Sequence, residues 1–272
     1  MTKTDKRKLT KQQVAIIKLL YALRFSTTES MRTALEDTVS IRAIRKRLTV
    51  LCERGYVCKR SAEGIGQSAY YCLDKLGIEY LRQVDGYNPL ALRNIRHDVQ
   101  ASNRFARHCV GVFDAANEIQ NHFGSQCHIQ TRSSFYGNED YPNPLPDAYV
   151  RVNDANGDIN KQFLFEYVDN TKPHRIWKQR IESLVKYLEE GEWCITDKDP
   201  ALLFICSTAR IERYVQHWLP QIIEDNYAED IQVFTATVES ATLAITGIAE
   251  SKAQVMHPDS DESSRPLVWT GY

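Results

Sequence analysis

No stretch of the 272 residues approaches the ~18 consecutive apolar residues of a membrane-spanning helix. That excludes a membrane span. The opening MTKTDKRKLTKQQ has no apolar segment directly after its charges and does not read as a secretory signal. Paired CxxC spacing is missing too: Cys52, Cys58 and Cys72 stand apart, which argues against a zinc site. The cysteines number seven, an odd count at irregular spacings, as expected of reduced thiols in a cytoplasm.

What is present is an ordinary globular balance, 43% apolar and 25% charged, in a chain long enough for two domains. The net charge of −1 hides a division. Residues 1–60 hold 15 Lys and Arg against 5 Asp and Glu, and the remainder holds 19 against 30. A basic N-terminal module that meets a polyanion is the reading this supports.

Ser40 to Gly55, SIRAIRKRLTVLCERG, is the centre of that module. Ile41, Ile44, Leu48 and Leu51 recur at helical spacing and predict one apolar stripe. Arg42, Arg45, Lys46 and Arg47 crowd the remaining surface. Ser40 is placed to cap the helix and Gly55 to end it. Such cations release counterions from phosphates, and an arginine fork can read a guanine edge in the major groove. Alone, the same face would read as merely solvated. Its neighbours decide otherwise.

Thr10 and Gln13 form a capping-box pattern ahead of a helix running to about Arg24. Thr27 or Thr28 caps a second, shorter helix ending near Leu35. After Gly55 the pattern alternates through Tyr56, Cys58 and Arg60, crosses a glycine-bearing tip at 64–66, and resumes at Ala69, Tyr71 and Leu73. A helix over 73–84 follows. Three helices and a two-stranded wing make a winged helix-turn-helix domain, assigned to residues 1–88. Its third helix enters the groove, while Lys59, Arg60 and the tip reach the backbone.

Tyr87-Asn88-Pro89 breaks the chain. Beyond it the patterns predict a helix over 98–123 and strands at 127–136, 145–152 and 161–169. A helix over 174–189, a strand at 201–207, a helix near 211–224, a strand at 231–237 and a helix near 239–249 complete the series. This is an α+β chain whose second domain, 89–252, is an α/β mixed sheet, followed by an acidic, partly disordered tail over 253–272. Asp147, after Pro146, and Glu166 fall on adjacent strands and would offer hard oxygens to Mg²⁺ or Mn²⁺. The plainer alternatives are a turn at Asp147 and an arginine partner for Glu166.

Three segments, LTKQQVAIIKLL, IRAIRKRLTVLCERGYV and SAYYCLDKLGIEYL, resemble the plasmid replication-relaxation proteins. IRHDVQASNRF, LPDAYV and FLFEYVDNTK are similar to the second half of that family. The chain also resembles MobC-type conjugative relaxases, which join a winged helix to a restriction-endonuclease-like domain. The resemblance implies a mobile-element protein acting at an origin of replication or transfer. It further implies a PD-(D/E)XK-type site in which Asp147 and Glu166 match the acidic positions and Glu118 the acid of the preceding helix. Val168 stands where that pattern has lysine, leaving Lys172 or Lys178 to supply the cation. In that pattern the lysine orients the nucleophile and balances charge in the transition state.

Two main readings follow. One is a relaxase-like, metal-dependent DNA nickase using Asp147, Glu166 and Lys172 or Lys178. The other is a non-catalytic accessory protein or transcriptional regulator whose degenerate domain serves dimerisation or partner binding, with no cofactor. A tyrosyl mechanism ranks below both, since the HxH motif expected of rolling-circle relaxases is absent. The expected partners are double-stranded DNA, a second copy of the chain, and transfer or replication proteins. No membrane is expected, and the expected place is the cytoplasm.

Overall fold

The computed structural model describes residues 8–35, 39–62, 68–241 and residue 245. The wing tip at 64–66, most of the predicted helix at 239–249 and the tail at 253–272 lie outside the described residues.

The first module is built from α1 (Lys11–Leu23), α2 (Thr28–Ala34), α3 (Ile41–Glu53), β1 (Val57–Arg60), β2 (Tyr70–Leu73) and α4 (Lys75–Arg82). Its helix starts follow the sequence. The Thr10 hydroxyl accepts from the Gln13 amide while Gln13 answers the Thr10 amide, and Thr27 and Ser40 cap α2 and α3. Ile44, Leu48 and Leu51 of α3 are buried against Ile16, Ile17 and Leu20 of α1. Antiparallel β1 and β2 pair from Val57↔Leu73 to Arg60↔Tyr70.

α5 (Pro89–Ile95) starts at an Asn88 cap with proline in its first turn. Its Ala91, Leu92 and Ile95 belong to the first module's core, so that packing unit extends past the boundary expected at 88. The single long helix expected over 98–123 is divided. A 3-10 turn covers Asp98–Gln100, and α6 (Asn103–Phe123) starts afresh from a Ser102 cap.

The second module is a five-stranded sheet in the order β3-β4-β5-β6-β7. Its strands are Cys127–Thr131, Ala148–Asn153, Ile159–Val168, Ala201–Cys206 and Val233–Thr237. The β3, β4 and β5 pairings are antiparallel, whereas β6 and β7 join in parallel across α8 (His174–Glu189) and α9 (Ala209–Asp225). β3 is shorter than the 127–136 strand expected, because Arg132–Phe135 form a helical turn, α7.

Strand alternation explains the layers. Leu164 and Val168 of β5 face the cluster under α8 and α9, and Phe163, Phe165 and Tyr167 face the cluster under α6. Glu166, two residues from both Leu164 and Val168, shares their face and meets Arg180 of α8 there. Gly111 allows α6 to approach closely, since a Cβ there would meet the Tyr167 ring at 2.2 Å.

The two modules are packed together. The last carbonyls of α1 have no partner inside the helix, and second-module hydroxyls supply them: Ser133 donates to the Tyr21 carbonyl at 2.7 Å and Thr131 to Ala22 at 2.6 Å. Phe25, Tyr70 and Cys72 bury themselves with Ala106 and Cys109 of α6. Arg24, which ends α1 at φ 64°, pairs with the buried Asp98 carboxylate through Nε at 3.0 Å.

Candidate functional site

Two regions carry the chemistry the sequence pointed to. The first is α3. Of its expected apolar stripe Ile44, Leu48 and Leu51 are buried while Ile41, in the first turn, is only half-buried; Arg42, Arg45 and Lys46 are exposed on the other side, with Arg47 half-buried. Lys59 is exposed on β1. Arg60 is placed otherwise. Its guanidinium donates to the Asp98 carbonyl at 3.1 Å and to Asn103 Oδ1 at 3.3 Å, and lies 5.7 Å from the Phe25 ring centroid. The expected phosphate contact is thus committed to holding the hairpin against the start of the second module. β-strand alternation separates it from exposed Lys59.

The second region is the end of the β4–β5 hairpin. Continuing the register from Ala148↔Phe165 sets Asp147 opposite Glu166, where side chains on one face are neighbours. Both carboxylates are buried, at 5% and 1% exposure. Each is tied down. Asp147 Oδ1 accepts from Arg132 Nη2 at 2.5 Å, and its Oδ2 accepts the Tyr167 amide at 3.0 Å. Glu166 takes a two-point grip from Arg180, Nε at 2.8 Å and Nη2 at 2.5 Å. Arg180 also donates to the Leu145 carbonyl.

Beside them His108 of α6 bridges two acids. Its Nδ1 is 3.1 Å from Asp169 Oδ2 and its Nε2 is 3.4 Å from Asp147 Oδ2. Burial alone would lower its pKa, but the two carboxylates outweigh burial and lift it to about 9. Burial would raise Asp147; Arg132 and His108 together hold it well below the usual carboxylate value. Asp169 is likewise lowered, with His108 and Thr171 overcoming burial. Glu166 is raised by burial and by the Asp147 charge, against the pull of Arg180.

Of the expected cations, Lys172 is near the cluster. Its ammonium lies 4.1 Å from the Trp177 ring centroid, and burial lowers its pKa while Asp147 and Glu166 oppose that. Lys178 is exposed on α8. Val168 is buried in the core beneath α8 and α9, so the position two residues after Glu166 on the same strand is filled by an apolar side chain and holds no cation. Glu118 is exposed on α6 and stands ten positions along the helix from His108, about 15 Å at the helical rise, so it does not join Asp147 and Glu166.

A hard dication demands free carboxylate lone pairs at ~2.0–2.6 Å. Here those lone pairs accept from two guanidiniums and a backbone amide, and an imidazolium stands alongside. Among the described residues no group of three His, Cys, Asp or Glu is arranged to hold a metal. The residues do not fit Mg²⁺ or Mn²⁺ in this arrangement.

His108, Arg132, Asp169 and Arg180 were not singled out in the sequence. A signal existed for two of them. His108 lies four residues before Val112 on the apolar side of α6, and Arg180 lies three after Trp177 on that of α8. A charged residue inside an apolar stripe needs a buried partner.

An α+β chain of mixed sheet and helices, with a cation-faced helix in one module and a buried ion network in the other, is the class the fold and site define. The family model for replication-relaxation matches residues 17–200, most of the chain, and the protein belongs to that family. Membership supports a replication-related role in a mobile element. No curated protein matches the chain. No helix among the described residues is long and apolar enough to cross a membrane.

Proposed function

We propose that the protein binds duplex DNA at an origin of replication or transfer and does so without cutting it. The first module is read as a winged helix-turn-helix, with α3 in the major groove and Lys59 on the phosphate backbone. The observation that carries this reading is the division of α3: Ile44, Leu48 and Leu51 are buried, and Arg42, Arg45 and Lys46 are exposed. The second module is read as a restriction-endonuclease-like scaffold of the kind found in MobC-type relaxases. Its acidic pair has been converted to structural use.

Metal-dependent nicking would need Arg132 and Arg180 to leave, baring two carboxylates that burial disfavours as free anions. Replacing the pattern's lysine by Val168 removes the nucleophile-orienting cation as well. The retained scaffold then serves to hold the first module, through Ser133, Thr131 and Asp98, and to present a surface to a second copy or to replication proteins.

Retention of labelled duplex by the full chain, titrated with salt, tests the reading. Binding that weakens steeply with salt and prefers the cognate origin supports it. Binding that is insensitive to salt, or no binding, contradicts it.

A further inference from the structure

One hollow on the described surface lies outside both regions above. α5 and the 3-10 turn after it bring Arg93, Arg96, His97 and Gln100 around a concavity of about 340 Å³. All four side chains are exposed, while Ala91, Leu92 and Ile95 anchor the same helix in the first module's core. The lining carries two guanidiniums, an imidazole and an amide, with no carboxylate among its described residues.

Its position follows from Arg60. That residue pairs with Tyr70 at the end of the hairpin from which the chain leaves for the tip. Its guanidinium reaches the Asp98 carbonyl and Asn103. The turn carrying His97 and Gln100 therefore lies beside the Arg60–Tyr70 end of the hairpin, the end turned to the backbone in the DNA-binding reading.

We propose that Arg93, Arg96, His97 and Gln100 form a binding site for a DNA phosphodiester, extending the interface from α3 and the wing onto the segment joining the two modules. This rests on the DNA-binding reading. Two guanidinium forks match the paired oxygens of a phosphate. The Gln100 amide and an imidazole N–H add donors. The negative end of α5 opposes an anion, but two of its last four carbonyls are engaged by backbone amides, that of Arg96 donating to Leu92 at 3.3 Å and that of His97 to Asn94 at 3.1 Å, which leaves the side chains of both residues to the site. The volume is at the small end of ligand-sized pockets, enough for a sugar-phosphate unit. Contacts of this kind fix register and orientation on the duplex without reading bases.

The test uses the full chain and fluorescence anisotropy on labelled cognate and scrambled duplexes across a salt series. Arg93→Ala/Arg96→Ala should weaken both duplexes by a similar factor and reduce the slope of log affinity against log salt by about one to two. Arg93→Lys/Arg96→Lys keeps the charge and should keep most of the slope. An alanine variant with the wild-type slope overturns the proposal, as does a lysine variant that loses the slope while the alanine variant keeps it. Arg42→Ala, run in parallel, separates the two failures. If wild type binds and Arg42→Ala weakens it while the Arg93/Arg96 variants do not, this site alone is wrong. If wild type shows no salt-dependent binding, the DNA reading itself has failed and this proposal falls with it.

Discussion

Arg180 of α8 grips both carboxylate oxygens of Glu166 on β5, at 2.8 and 2.5 Å, in a place where Glu166 is only 1% exposed. A catalytic acid would keep those lone pairs for a metal. Here they close an ion pair between a helix and the sheet it covers.

Removing one partner should therefore cost stability. Arg180→Ala leaves a buried carboxylate uncompensated, a loss of about 3–5 kcal/mol. Adding Glu166→Gln to that variant should recover part of it. Urea unfolding of the two single variants and the double variant measures the coupling. A neutral Arg180→Ala would mean that the pair does not hold α8 to the sheet.

His108 sets a pH dependence. Its pKa rises from 6.5 to about 9 on folding, so the folded state holds more protons between those values than the unfolded state. The stability it contributes is full below about 6.5 and is lost as pH climbs through about 9. Asp147 and Asp169, both lowered, contribute stability above their ordinary values and lose it as pH falls into the acid range. Thermal melts of His108→Gln should decline less between about pH 6.5 and 9 than those of wild type. An equal decline in both would remove His108 from the account.

Arg42 and Arg60 should behave as opposites. Arg42→Ala is expected to lose about 1–3 kcal/mol of binding and relax preference at one base pair. Arg60→Ala should instead lower the melting temperature, because it breaks the bonds to Asp98 and Asn103. Lys59→Ala should weaken all duplexes alike. Anisotropy with cognate and mutated duplexes, beside melting curves, tells the three apart.

Leu92 is 1% exposed in the first module's core although it lies beyond Pro89. Leu92→Ala should destabilise by about 2–5 kcal/mol. A fragment ending at 88 should melt well below one ending at 97, and equal melting would return the boundary to Asn88.

Much of this was readable in advance. The stripe of α3, the Thr10, Thr27 and Ser40 caps, and the two hairpins are local patterns, and they formed as spacing predicted. The acidic pair and its face were also legible, because strand parity is a period-two rule. What escaped was tertiary. Arg60 looked like a wing cation until Asp98 and Asn103 came beside it. His108 and Arg180 acquire meaning only when α6 and α8 close on opposite faces of one sheet. The break at Ala101 was hidden by helical residues on both sides of it.

The most direct test of the central claim is one assay on supercoiled plasmid bearing the cognate origin, with Mg²⁺ or Mn²⁺ supplied. The account predicts salt-sensitive binding of the plasmid and no conversion to open circles by wild type. Conversion to open circles that Asp147→Asn or Glu166→Gln abolishes, with origin binding intact, would contradict it.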